Sequence, residues 1–158
     1  LWSSFPTLRP MATIVEDTVA LVARFGIEPK VALLSHSNFG TSSAPSARKM
    51  RHASELLRER YPELQVDGEM HVLSALNPAL RATIYPDANL TGRANVLVMP
   101  NLDAANIAMG LIRSMTDALL IGPFIHGLDK PAHIVIPSVS ARGIFNMTAA
   151  TVAGLPKR

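Results

Sequence analysis

The chain has 158 residues, 48% of them apolar, with 15 Lys and Arg against 12 Asp and Glu, a formal net charge of +3 and no cysteine. That length suffices for one domain with a sizeable core, no apolar run reaches the roughly 18 residues of a membrane span, and the charge is too balanced to argue for nucleic acid. The lack of cysteine excludes disulfides, thiolate metal sites and a cysteine nucleophile, so a soluble, cytoplasmic protein without membrane or nucleic-acid partners is expected.

The elements alternate along the chain. There is no initiating methionine, and Arg9 and Pro10 interrupt a weakly apolar start, so no signal peptide is expected and the chain reads as a fragment or processed form. Residues 12–25 place Ile14, Val15, Thr18, Val19, Leu21, Val22 and Phe25 on a helical stripe closed by Gly26. Val31–Leu34 reads as a short buried strand, and His36–Pro45, rich in Ser, Asn and Gly, as a loop. Residues 46–60 form an amphipathic helix with Ala47, Met50, Ala53 or Ser54 and Leu57 facing in. Arg48, Lys49, Arg51, Arg58 and Arg60 face out. Leu64–Val66 is a second strand, and 78–84 a short helix opened by Asn77-Pro78.

Asn95–Met99 is the clearest buried strand. Asn101 is placed to cap a helix from Leu102 to about Met115, with Asp103 at the positive end of its dipole. Ala118–Gly122 and His133–Ile136 read as strands around a Gly- and Pro-rich link. Ser138 is placed to cap a last helix, Val139–Val152. This rhythm predicts one α/β domain with helices on both faces of a sheet.

Three of these junctions hold the candidate chemistry. In Ser35-His-Ser-Asn-Phe-Gly-Thr-Ser-Ser43 the loop follows a strand and precedes a helix. It can aim backbone N–H groups at an anion, with Gly40 allowing close approach. The plainer reading is a turn whose Ser and Asn side chains satisfy nearby backbone groups. The loop lacks the Gly-Lys-Ser/Thr ending of a P-loop. Asp67-Gly68-Glu69, followed by His71, is either an acid–base or metal-binding pair of carboxylates or a polar turn with one packed carboxylate. Asn101-Leu-Asp-Ala-Ala-Asn106 opens a helix, and Asn106, one turn in, suggests a buried hydrogen bond. The histidines His36, His52, His71, His126 and His133 have no metal-ligand spacing, so no metal site is expected.

The wording of these blocks resembles a known family. Val31-Ala-Leu-Leu-Ser-His-Ser-Asn-Phe-Gly40, Ser46-Ala-Arg-Lys-Met-Arg51, Asp67-Gly-Glu-Met-His71 and Met99-Pro-Asn-Leu-Asp-Ala-Ala-Asn106 are similar to the phosphotransacetylase-like domain that follows the catalytic domains of large bacterial NADP-dependent malic enzymes. Ile121-Gly-Pro123 and Lys130-Pro131 look like cleft-lining turns of the same family. The resemblance implies a three-layer α/β/α phosphotransacetylase-like fold, akin to isocitrate dehydrogenase. Residues 27–158 would be its C-terminal part and 1–26 a helical lead-in.

The resemblance also implies what is missing. Active phosphotransacetylases carry a Ser-Arg-Gly segment that assists thiol and phosphate, then an aspartate acting as base for coenzyme A. Aligned on Ile144-Phe-Asn-Met147, these positions fall on Ile136, Pro137, Ser138 and Gly143. Ile, Pro and Gly side chains neither titrate nor hydrogen-bond, so acetyl transfer reads as lost and no catalytic residue is assigned. Asp67 is the substitute base if transfer persists; a pocket-facing carboxylate of the relatives is replaced by Leu73. The expected role is a regulatory and oligomerising module that senses acetyl-CoA, with Ser35, Ser37, Asn38, Gly40, Asn101 and Asn106 as effector contacts. Arg48 and Arg142 are candidates for a phosphate. NADP and a divalent metal would serve the catalytic domains of the same longer chain. The alternatives are an active phosphate acetyltransferase and a purely structural assembly module.

Overall fold

The computed structural model describes residues 8–125, 128, 130–137 and 139–153. The chain divides into two compact units near residue 108. The first holds helix α1 (Leu8–Arg24), strand β1 (Lys30–Leu34), α2 (Pro45–Arg60), β2 (Gln65–Met70), α3 (Val72–Leu76), α4 (Pro78–Ile84) and β3 (Val96–Val98). Helix α5 (Leu102–Met115) crosses the division, and α6 (Ala141–Ala153) belongs to the second unit. No helix among the described residues is long and apolar enough to cross a membrane.

The sheet is parallel, in the order β2-β1-β3, with Val31 between Val66 and Val96. Side chains alternate across it as the strand period requires. Val31, Leu33, Val66, Val96 and Val98 face Met11, Ala12 and Val15 of α1 and Met50, Ala53 and Leu57 of α2. Ala32, Leu34 and Met70 face the other way, onto Ala75 of α3, Leu90 and Ala94. Burial on both faces explains why β1 reads as a continuous apolar run. The unit therefore has helix, sheet and helix layers, as expected.

Helix ends follow their local chemistry. The amide N–H of Gly26 donates to Ala23 O and that of Ile27 to Val22 O, the paired bonds of a Schellman ending, with Gly26 at φ 71°. Pro45 starts α2 and Pro78 starts α4, where Asn77 Oδ1 accepts the Leu80 N–H at 3.1 Å. Asn95, just before β3, ties that strand to β1. Its Oδ1 accepts the Lys30 N–H (2.7 Å), its own N–H donates to Lys30 O (3.0 Å), and its Nδ2 donates to Glu28 O (2.8 Å).

Several expectations need correction. Helix α1 begins at Leu8, and its buried face is Met11, Ala12 and Val15; Ile14 and Phe25 are exposed. Strand β2 runs to Met70 rather than stopping at Val66, and α3, one turn long, is too short to leave a helical period in the sequence. The segments 118–122 and 133–136 are not strands. Short apolar runs resemble strands in sequence, but a strand exists only where a ladder partner meets it, and these have none among the described residues. Helix α6 starts at Ala141, with Ser140 as its cap: Ser140 Oγ accepts the Gly143 N–H at 3.1 Å. Ser138 lies outside the described residues.

Candidate functional site

Parallel strands end on one edge, so the turns after β1, β2 and β3 emerge side by side. Ser35, His71 and Met99 are the first residues past those ends. Clefts of open parallel sheets form at this edge.

The 35–44 loop is organised by Glu69. In β2, Gly68 is opposite Leu33 and Met70 opposite Leu34, so Glu69 is an extra residue in the ladder. Such bulges re-aim a side chain. The Glu69 carboxylate is buried completely. Its Oε1 accepts from Ser37 Oγ (2.7 Å), the Gly40 N–H (3.0 Å) and Arg51 Nη2 (2.8 Å), and its Oε2 accepts from Arg51 Nε (2.8 Å). The Glu69 carbonyl accepts the Phe39 N–H at 2.7 Å. Burial pushes this carboxyl up, but the Arg51 fork, the Ser37 hydroxyl and the Gly40 amide outweigh it and hold the group at about 2.

The rest of the loop is secured in the same way. Ser37 Oγ also accepts the Ser42 N–H at 3.0 Å, and Arg51 Nη2 donates to Ser42 O at 2.9 Å. Asn38 Oδ1 accepts the His71 N–H (2.8 Å) and the Ser74 hydroxyl (3.0 Å). Phe39 takes a positive φ of 42° and stacks on Tyr85 with ring centroids 4.2 Å apart. The His71 ring nitrogen Nε2 and the His36 carbonyl lie 2.8 Å apart.

Of the sequence candidates, Ser35, Ser37, Asn38 and Gly40 lie together on this loop. The Ser37 hydroxyl and the Gly40 N–H are engaged by Glu69, while the Ser35 hydroxyl is buried without a partner. Asn101 caps α5, its Oδ1 accepting the Ala104 N–H at 2.8 Å. Asn106 is exposed rather than buried in a hydrogen bond, because α5 buries none of its residues. Leu73 is 66% exposed on α3. Arg48 and Arg142 are both exposed.

The Asp67-Gly68-Glu69 segment is neither a strand end nor a polar turn. Asp67 sits within β2, buried, with Oδ2 accepting the Leu90 N–H at 2.7 Å and Oδ1 3.3 Å from Arg58 Nη1. Burial raises its carboxyl above the ordinary value despite the Leu90 amide and the nearby Arg58 charge. A base so enclosed is badly placed to take a proton from a ligand at the carboxyl edge. Two of the arginines assigned to the outer face of α2, Arg51 and Arg58, instead reach these carboxylates. No cluster of three potential His, Asp or Glu metal ligands occurs among the described residues, and His126 lies outside them.

Sequence reasoning missed two cations. Arg81 is buried, and its guanidinium donates to Ser74 O (2.9 Å), Ala75 O (3.3 Å), Leu90 O (2.9 Å) and Gly92 O (2.6 Å). Lys49 donates from Nζ to the Pro100 carbonyl, tying α2 to the turn after β3; burial lowers its pKa. Lys49 and Pro100 are 51 residues apart, and the four carbonyls around Arg81 lie 6 to 11 residues from it, so neither set falls at the three- or four-residue spacing of a helix face.

A family model described as Phosphate acetyl/butaryl transferase matches residues 2–152. The chain is 51% identical over 148 residues to the NADP-dependent malic enzyme of Escherichia coli, covering 93% of this chain and 20% of that one. It is 49% identical over 153 residues to the NAD-dependent malic enzyme of Rhizobium meliloti, covering 94% of this chain and 20% of that one. Among solved structures it is similar to a phosphotransacetylase from Streptococcus pyogenes, with a TM-score of 0.86 and 34% identity over 97% of this chain and 46% of that one. The chain thus spans about a fifth of the length of these malic enzymes and less than half of that phosphotransacetylase.

Proposed function

Because the chain belongs to the phosphate acetyl/butaryl transferase family, we propose that it is the phosphotransacetylase-like module of a bacterial malic enzyme, and that it senses acetyl-CoA without turning it over. One observation carries this reading: about half of its residues match those malic enzymes across 93–94% of its length. The longer chain would oxidise malate, pass a hydride to NADP and release carbon dioxide and pyruvate. Its nicotinamide and divalent-metal sites would lie in the other domains, and its location would be cytoplasmic.

At the carboxyl edge, the effector would meet the amide NH2 of Asn38 and the exposed Asn101 and Asn106, and would reach the Ser35 hydroxyl, buried without a partner, only if the loop opened. Ser37 and Gly40 would shape the loop from beneath through Glu69. Loss of transfer is supported by Ile136, Pro137 and Gly143, which place no titratable side chain where the active relatives are understood to need one. Regulation additionally requires that acetyl-CoA bind one state of the whole enzyme more tightly than another. The same module would join subunits into a homo-oligomer, a role supported by the unburied α5, where Leu102 is 74% and Ile107 63% exposed.

Calorimetric titration with acetyl-CoA, on the full-length malic enzyme and on this chain beside it, tests the reading. Saturable binding without formation of acetyl phosphate is expected. No binding by the full-length enzyme overturns the sensor and leaves the assembly role. Acetyl phosphate formation from acetyl-CoA and phosphate overturns the loss of transfer.

A further inference from the structure

The loop after β1 has the donors of an oxyanion site. Ser37 Oγ, the Gly40 N–H and the Nε and Nη2 of Arg51 converge within 2.7–3.0 Å of two oxygen atoms. A hydroxyl, a glycine amide and a planar guanidinium fork form the combination that recognises a carboxylate or phosphate. Here both oxygens belong to the chain itself, to the bulged residue Glu69. Each donor is spent: three bonds reach Oε1 and one reaches Oε2.

We propose that this cradle is a carboxylate-binding site permanently occupied by the chain's own Glu69, so that the Ser37 hydroxyl, the Gly40 N–H and the Arg51 Nε and Nη2 hold an internal anion and do not contact an effector. The inference goes beyond the acetyl-CoA reading and does not depend on it. Three features support it. Ser37 is 1% exposed and the Glu69 side chain 0%, so the anion is screened from water. The Arg51 fork engages both carboxylate oxygens, which a neutral amide cannot reproduce because one of its two atoms is a donor. The Ser37 hydroxyl also receives the Ser42 N–H, so the occupant fixes the whole 37–42 turn. An anionic ligand arriving at the carboxyl edge finds these donors filled. Recognition falls instead to groups such as the Asn38 amide and the start of α5.

The test is chemical rescue. Glu69→Ala removes the occupant and leaves a space the size of a small carboxylate. Its resistance to urea is measured in sodium formate, sodium acetate and sodium chloride at equal ionic strength, and in formamide. A saturable gain in formate or acetate, with at least a tenfold rise in the folding equilibrium constant over chloride and none in formamide, is expected. The unaltered chain should show no difference between formate and chloride. A folded Glu69→Ala that responds alike to all four overturns the proposal. Should that variant fail to fold in every salt, Glu69→Gln decides. A folding constant at pH 7 at least tenfold below that of the unaltered chain supports an obligatory anion, and an unchanged constant overturns it. None of these measurements involves acetyl-CoA, so failure here leaves the sensor reading standing and failure there leaves this one.

Discussion

Acidification should unlock the loop at a pH set by Glu69. Its carboxyl titrates at about 2 in the folded chain, against an ordinary 4.5. A folded value below the unfolded one means stability that is complete above about 4.5 and is lost as the pH falls toward 2. That lowering is worth about 3 kcal/mol at 1.36 kcal/mol per pKa unit. Asp67 acts in the opposite sense. Its carboxyl is raised by burial, so it costs stability when ionised and the cost is relieved as pH falls through its folded value. Glu69→Gln mimics the protonated acid and isolates the Glu69 contribution from those of all other carboxylates. Urea unfolding followed by circular dichroism at pH 7, 5, 4, 3 and 2.5, at constant ionic strength, should show the variant less stable at pH 7 by about 2–3 kcal/mol. The gap should close below pH 4. A gap that stays constant from pH 7 to 2.5 refutes the assignment of this stability to the ionised carboxylate.

Two further substitutions probe the frame around that site. In Gly68→Ala the new Cβ would fall 2.6 Å from the Leu33 carbonyl oxygen at a φ of 145°, so β1 and β2 must part; a loss on the order of 2–5 kcal/mol is expected by urea unfolding, and an unchanged midpoint contradicts the close approach. Asn101→Ala removes the acceptor for the Ala104 N–H and should cost about 1 kcal/mol, with faster amide exchange in the first turn of α5 and unaltered exchange in β1.

Much of the first unit was legible because its signals are local. The inward stripe of Ala47, Met50, Ala53 or Ser54, and Leu57 follows the helical period, and both alternatives are buried with the rest. Asn77-Pro78 and Asn101 announce helix starts through chemistry that lies within three residues. The organisation of the candidate site was not legible. Arg51 and Glu69 are 18 residues apart and Ser37 and Glu69 are 32 apart, so only the folded sheet brings them together. A bulge also breaks the strand period at the residue that matters most, which is why Asp67-Gly68-Glu69 looks like a turn. The apolar runs at 118–122 and 133–136 misled for the converse reason: hydrophobicity signals a wish for burial but does not supply a neighbouring strand.

Asn95 solves a problem that hydrophobicity leaves open. Of the residues that follow it, Val96, Leu97, Val98 and Met99 are all apolar, and they pack on alternate sides of the sheet. Sliding this segment by one place would exchange apolar for apolar on each side, with little penalty to oppose the error. The asparagine breaks that degeneracy. Its side chain and main chain grip Glu28 and Lys30 in one arrangement, and any slip would forfeit those bonds. Correct alignment of the third strand, and with it the position of the turn that leads to Asn101, is thus encoded by one polar side chain at the far end of the sheet from the candidate site.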